Sequence, residues 1–146
     1  MGMFTAFDIN ASGLTAQQYR MDIISENVAN ANTTRTEDGT PYRRKLVTFE
    51  EKGSQTPFSR VLNRATDQYS GKGVKVSSVV EDKTEGHKAY DPAHPDADAD
   101  GYVTYPNVNI VAEMTDLIDA SRAFEANATA FTASKSIAMK GLEMGQ

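Results

Sequence analysis

Apolar residues recur at every seventh position near both ends of the chain. In the first segment Phe7, Leu14, Met21 and Val28 form such a series, with Phe4, Ala11, Gln18 and Ile24 beside them. A stripe of that period runs along one face of a helix and suits coiled-coil packing, so a helix is predicted from about Phe4 to about Asn30. Gly13 sits inside it at a cost of about 1 kcal/mol relative to Ala. Either the backbone there meets another helix closely, or the segment is only marginally helical alone.

The last segment repeats the pattern more strongly. Ile110, Leu117, Phe124, Phe131 and Ala138 recur every seven residues, flanked by Met114, Ser121, Ala128 and Leu142. Asn107 or Asn109, just after Pro106, can cap the start of this helix. Glu113, Asp116 and Asp119 lie in its early turns, and Lys135 and Lys140 near its end, as the helix dipole favours.

All five prolines lie between residues 41 and 106, where long helices are not expected. Short alternating or β-branched runs occur there instead, at Leu46–Glu50, Val74–Val80 and Tyr102–Tyr105. Val74, Val76 and Val80 share one strand face, and Gly71-Lys72-Gly73 forms a turn before them. The reading is therefore α+β: residues 1–35 form an N-terminal helix, 36–106 a small central β-rich domain, and 107–146 a C-terminal helix, with the two helices pairing as a coiled-coil-like layer.

Size sharpens this picture. A compact globule of this length has a radius of gyration of about 15 Å and a diameter of roughly 38 Å, whereas a helix from Asn109 to Met144 runs about 50 Å. The helices must pair with each other and with neighbours. Their stripes include small and polar members, Ala11, Gln18, Ser121, Ala128 and Lys135, so one two-helix seam buries little against the entropy of ordering the chain. The missing contacts are expected from other subunits; the plain alternative is a helical hairpin packed on its own sheet.

Composition removes whole classes of function. With 39% hydrophobic and 24% charged residues, the core is built mainly from aliphatic side chains. A formal net charge of -5 disfavours binding to a phosphate backbone, so nucleic acid is not an expected partner. The absence of cysteine removes disulfides, thiol catalysis and thiolate metal sites. Met1 to Asp8 contains no basic stretch and no long apolar run, so neither a cleavable signal nor membrane insertion is expected.

The run Ser25-Glu26-Asn27-Val28-Ala29-Asn30-Ala31-Asn32-Thr33-Thr34 carries Asn27, Ala29, Asn30 and Thr33 in an Asn-x-Ala-Asn-x-x-Thr pattern at the end of the first helix. This pattern resembles the signature of the flagellar rod and hook proteins. Tyr90-Asp91-Pro92-Ala93-His94-Pro95, Gly101-Tyr102-Val103, Pro106-Asn107-Val108 and Arg122-Ala123-Phe124-Glu125-Ala126-Asn127 extend the resemblance to the proximal-rod members of the family over nearly the whole chain. Arg35 stands where many members have glycine; the first glycine here is Gly39.

The resemblance implies a structural subunit of the bacterial flagellar basal body. It implies export through the flagellar type III channel, and assembly outside the cytoplasmic membrane into the tube that transmits torque from rotor to hook. The partners implied are other rod subunits, the adaptor joining rod to rotor ring, and further copies of the chain. No cofactor and no catalysis are implied. Physically, Asn side chains bond to nearby main chain and tolerate left-handed backbone. Asn27 and Asn30 therefore either satisfy backbone groups buried between subunits or serve as a plain helix C-cap.

Three other patterns point to different chemistry. Asp96-Ala97-Asp98-Ala99-Asp100-Gly101 copies the start of a calcium loop, but its twelfth position is Asn107 and prolines precede it, which leaves at most a weak calcium-binding module. His94-Pro95-Asp96 copies a cochaperone tripeptide without the helical hairpin that tripeptide needs. His87 and His94 are the only imidazoles, no Gly-x-Ser-x-Gly elbow accompanies them, and a hydrolase is not expected. Arg43-Arg44-Lys45 is too short for a polybasic site and reads as a solvated strand start.

Overall fold

The computed structural model describes residues 3–52 and 73–144 of the chain. Helix α1 (Met3–Ala29) is followed by strands β1 (Lys45–Glu51), β2 (Val74–Glu81), β3 (Lys88–Tyr90) and β4 (Tyr102–Thr104), and then by helix α2 (Ile110–Glu143). This is the expected α+β arrangement of two long terminal helices around a small β-rich centre. No helix among the described residues is long and apolar enough to cross a membrane.

Local chemistry sets the element ends. Asn30 closes α1: its N–H and its side-chain Nδ2 both donate to Glu26 O, at 3.1 and 3.0 Å. Asn109 opens α2, its Oδ1 accepting from the N–H groups of Val111 and Ala112, as a capping side chain does for the first free donors of a helix.

Among the described residues the β-rich centre contains two two-stranded sheets. Lys52 N–H donates to Gly73 O and Asp82 N–H to Arg44 O, so β1 and β2 run antiparallel. Along β1 the half-buried residues Val47 and Phe49 alternate with exposed Leu46 and Thr48. The alternation in β2 holds at Val74 and Val76, but Val80 is exposed, because the strand's second half covers none of the described residues. Strand β3 pairs with β4 in the register Ala89 to Val103; its three residues carry too few positions to show a period. Of the turn expected at Gly71-Lys72-Gly73, only Gly73 lies within the described residues.

By its contacts the chain divides into two units. One comprises Met1–Tyr19, Thr48–Ser78 and Ala120–Gln146, and the other Arg20–Val47 and Val79–Asp119. In the first, the rings of Phe7 and Phe131 meet edge to face at 5.1 Å, and Gly13 lies against Asn127, so the helices run antiparallel. Ser12 Oγ accepts the N–H of Val74 at 3.1 Å. Gly73 beside it has φ +86°, and a Cβ there would fall 2.1 Å from that hydroxyl.

Gly13 answers the question its position raised: the helices approach closely at it. A Cβ at this site would lie 2.7 Å from Asn127 Oδ1, whose amide is tied back to Ala123 O at 2.8 Å. Replacing a mid-helix glycine by alanine ordinarily stabilises by about 1 kcal/mol. Here Gly13→Ala will deliver that gain in an Asn127→Ala background and a smaller one in the unaltered chain; thermal unfolding of the four members of the cycle measures the difference.

In the second unit the largest fully buried side chains are Glu113, Val103, Asn27 and Pro106. Two of those four are polar. A core in which an amide and a carboxylate occupy the centre is organised by hydrogen bonds as much as by apolar contact.

Candidate functional site

Asn27, the first member of the Asn-x-Ala-Asn-x-x-Thr run, is 1% exposed and uses its whole amide. Its Nδ2 donates to Lys45 O at 2.9 Å and to Glu113 Oε2 at 3.1 Å. Its Oδ1 accepts from Tyr42 OH at 2.8 Å and from Lys45 N–H at 2.9 Å. An amide has two donors and two acceptor positions, and all four are filled by groups from this chain. One side chain at the end of α1 thus holds the strand entering β1 and the first turn of α2.

Glu113 is equally buried, and each of its carboxylate oxygens has a partner. Arg44 Nε donates to its Oε1 while Asn27 takes Oε2. The Arg44 guanidinium also reaches Asp116 at 3.4 Å, and Arg20 reaches the other Asp116 oxygen at 3.5 Å. Lys45 pairs with Glu26, and Arg44 N–H donates to Asn107 Oδ1 at 3.2 Å. Of the Arg43-Arg44-Lys45 run only Arg43 is exposed; the other two cations are drawn inward by Glu113 and Glu26. The expectation of a solvated strand start is corrected for Arg44 and Lys45.

The rest of the run shapes the turn. Asn30 caps the helix, Thr33 donates from its hydroxyl to Asn30 Oδ1 at 3.1 Å, and Thr33 O accepts the N–H of Tyr42 at 3.1 Å. Ala29 is exposed. Thr34 and Arg35 continue to Asp96, by a 2.8 Å hydrogen bond and a 3.6 Å ion pair, so Arg35 has a partner of its own. Both Asn amides find their partners inside the chain, one across segments and the other as a cap.

Tyr42 is buried, and its phenol is pushed up to about 12 from 10.0, first by burial and then by the negative charges of Glu26, Glu113 and Glu81. The hydroxyl therefore stays protonated and donates to Asn27. A raised value in the folded state favours the folded chain below the unfolded value, and that contribution is lost as pH climbs through the folded one. Stability will fall between about pH 10 and pH 12, and Tyr42→Phe will flatten that slope in urea titrations across the range.

Phe7, Leu14, Met21 and Val28 on α1 and Leu117, Phe124 and Phe131 on α2 are half-buried, and Ala138 is buried. Ile110 and Leu142 lie at the surface, at 43% and 69% exposure. Of the flanking positions Met114, Ser121, Ala128 and Leu142, Met114 and Leu142 are exposed and Ser121 and Ala128 half-buried, while Glu113 and Ala120 beside them are buried and Asn127 and Ser134 half-buried. Ala11 and Gln18 belong to the outward face of α1, with Asp8, Thr15, Asp22, Ser25 and Ala29.

Asp98, centre of the calcium-like run, spends Oδ1 on the N–H groups of Asp100 and Tyr102, and Asp96 is held by Thr34 and Arg35. Among the described residues no three His, Cys, Asp or Glu side chains gather as a metal-ligand group. His87 stacks on Tyr105 at 5.1 Å, and His94 Nδ1 accepts the N–H of Asp96.

Both sides of this network fall in stretches shared with known proteins. Residues 7–35 match the family described as flagella basal body rod protein, and residues 99–144 match that of the flagellar basal body rod FlgEFG protein C-terminal. Over its full length the chain is 45% identical to the flagellar basal-body rod protein FlgC of Bacillus subtilis (strain 168), with 100% of each covered. The chain belongs to the FlgC family of flagellar basal-body rod proteins. FlgC of Borreliella burgdorferi is 44% identical over 100% of this chain and 99% of its own, and FlgC of Salmonella typhimurium 39% identical over 100% of both. In FlgC terms, Asn27 lies in the N-terminal matched stretch and Glu113 in the C-terminal one. Tyr42, Arg44 and Lys45 come from the part between.

Proposed function

We propose that this chain, a structural subunit of the flagellar basal-body rod, joins its neighbours through its terminal helices, and that the tube so formed carries torque from rotor to hook. The observation that carries this reading is a ridge on α2. Val111, Met114 and Ile118 are 75%, 54% and 53% exposed and lie on the helix side turned away from Glu113, Leu117 and Ala120. Contiguous exposed apolar side chains on a soluble protein mark contact surfaces, and no segment among the described residues covers these. Ile137, Met139, Leu142 and Met144 are exposed in the same way near the other end of the helix.

The partners proposed are other rod subunits, further copies of the chain and the adaptor at the rotor ring, reached after export through the flagellar type III channel. Stiffness under torque comes from many close helix contacts acting together, each worth little alone. No step of this function calls for catalysis.

Val111→Asp with Ile118→Asp tests the reading. Both side chains are exposed, so the purified variant will keep its stability to within about 0.5 kcal/mol, while cells carrying it as their sole copy will make no complete rods and will not swim. Normal swimming by the folded variant overturns the assignment of this ridge.

A further inference from the structure

Strands β3 and β4 form a ribbon whose two ends carry opposite charge. At the end where Lys88 pairs with Thr104 lies a recess of about 260 Å³, with Arg43, Lys83, Lys88, Glu85, Tyr105 and Pro106 in its lining. Main chain fixes its shape: Tyr105 N–H donates to His87 O at 2.9 Å, and a Cβ on Gly86 would fall 1.7 Å from Tyr105 O. Three cations thus face one acid. All three are exposed, and none has an ion-pair partner among the described residues, whereas Arg20, Arg35, Arg44, Lys45 and Lys75 each have one. The neighbouring Asp82 spends Oδ1 on the N–H and the hydroxyl of Thr84.

The other end of the ribbon, past the pair of Tyr90 with Tyr102, is a turn carrying Asp91, Asp96, Asp98 and Asp100. Asp96 is taken by Thr34 and Arg35. Asp91 and Asp98 bond only to N–H groups of their own turn, and among the described residues no cation pairs with either of them or with Asp100. The turn is held away from the recess. It begins at the bond from Asp91 N–H to Gly101 O, three residues from Lys88, or roughly 10 Å along a strand.

Two complementary patches at different places on one surface cannot satisfy each other within a chain. Between chains they make a head-to-tail contact, which repeats into a ring or a helical array, and the charges favour one orientation of approach over its reverse. We infer that the recess receives the acidic turn of a second copy of this chain, Arg43, Lys83 and Lys88 meeting Asp91, Asp98 and Asp100. The occupant is a second copy because the chain itself supplies the exposed turn of matching charge. The inference rests on the proposed self-assembly for its place in the rod, and it gives that assembly a direction.

The chain has no cysteine, so single cysteines report the contact. Purified full-length Lys88→Cys and Asp100→Cys, one of them isotope-labelled, are mixed in equal amounts and oxidised with copper phenanthroline at low salt. Both positions are exposed, so both variants will fold, which circular dichroism checks. The mixed disulfide will exceed either like pair at least about ten-fold, against about two-fold for chance pairing, and salt at about 0.5 M will lower that excess at least about five-fold. Arg43→Gln with Lys83→Gln in the Lys88→Cys chain will lower it as much. Glu37→Cys, at an exposed acid in another loop, will pair with Lys88→Cys at the chance ratio.

A chain carrying both cysteines will form a ladder of oligomers, because positions this far apart do not bridge within one molecule. A chance ratio for Lys88→Cys with Asp100→Cys overturns the inference. So does an excess indifferent to salt and to Arg43 and Lys83, or a double-cysteine chain that stops at the dimer, since that marks a symmetric contact. These outcomes are read in the purified chain and leave the ridge on α2 to be judged separately. If Val111→Asp with Ile118→Asp abolishes rods while the disulfides form at the chance ratio, the head-to-tail contact alone is wrong.

Discussion

Asn27→Ala will cost about 4 kcal/mol of stability, because it strands Tyr42 OH, both main-chain groups of Lys45 and one oxygen of Glu113, each worth about 1 kcal/mol when left unpaired in a buried place. Asn30→Ala will cost about 1 kcal/mol or less, since that amide only caps its own helix and pairs with a hydroxyl at a half-buried position. The two asparagines look equivalent in the signature and differ several-fold in effect. Urea unfolding of each purified variant measures the ratio. In cells Asn27→Ala will abolish swimming and Asn30→Ala will reduce it, and equal losses for the two would show that Asn27 is only a cap.

Glu113→Ala comes next in size. Removing one member of a buried ion pair ordinarily costs about 3–5 kcal/mol. Here Arg44 keeps part of its compensation from Asp116 and some contact with solvent, which brings the expected loss to about 2–3 kcal/mol. Glu113→Gln keeps one acceptor oxygen but sets its NH2 against a second donor, Arg44 Nε or Asn27 Nδ2, and will lose about 2 kcal/mol. The outer pair of Arg20 with Asp116, both partners more than a third exposed at their side chains or close to it, will contribute about 0.5 kcal/mol or less and vanish in high salt. Unfolding at low and high ionic strength separates these cases, because the Glu113 effect will persist where the Arg20 effect does not.

The comparison of Glu113 with Leu117 shows what the sequence could and could not disclose. Apolar heptads announce a helix face, and the line through Leu117, Phe124 and Phe131 was legible for that reason. Its companion line begins with a carboxylate and continues through Ala120, Asn127 and Ser134, residues that a search for apolar stripes assigns to solvent. Met114, more hydrophobic than any of these, belongs to the seam by its period and yet lies on the outside. Glu113 itself was read as a charge suited to the first turns of a helix, a reading that needs only local sequence. Its burial depends on Arg44 and Asn27, 69 and 86 residues away along the chain, and single-sequence periodicity carries no information about such pairs.

The signature was legible as a turn and as a resemblance, and its four members were found together. Which of them reaches across the fold was not written in the run, because Asn27 and Asn30 are chemically identical and three residues apart. Burial tells them apart, and burial is set by what arrives from elsewhere: Tyr42 and Lys45 on one side, Glu113 on the other. The basic run at Arg43 departs from a solvated strand start for the same reason, with two of its three charges answered by acids on the helices. The short strand β3 was missed because three residues carry no period.

The loop from Thr33 to Tyr42 is closed at its base by the Tyr42 N–H bond to Thr33 O and tightened inside by bonds joining Thr36 to Thr40 and Gly39. Its outermost residues Glu37, Asp38 and Gly39 are exposed. Added length at that tip is shielded from the amide of Asn27 by the clasp beneath it, and the entropy of closing a somewhat longer loop rises only slowly. An epitope placed between Asp38 and Gly39 therefore offers a handle for purifying or imaging the subunit that leaves both ends of the polypeptide native.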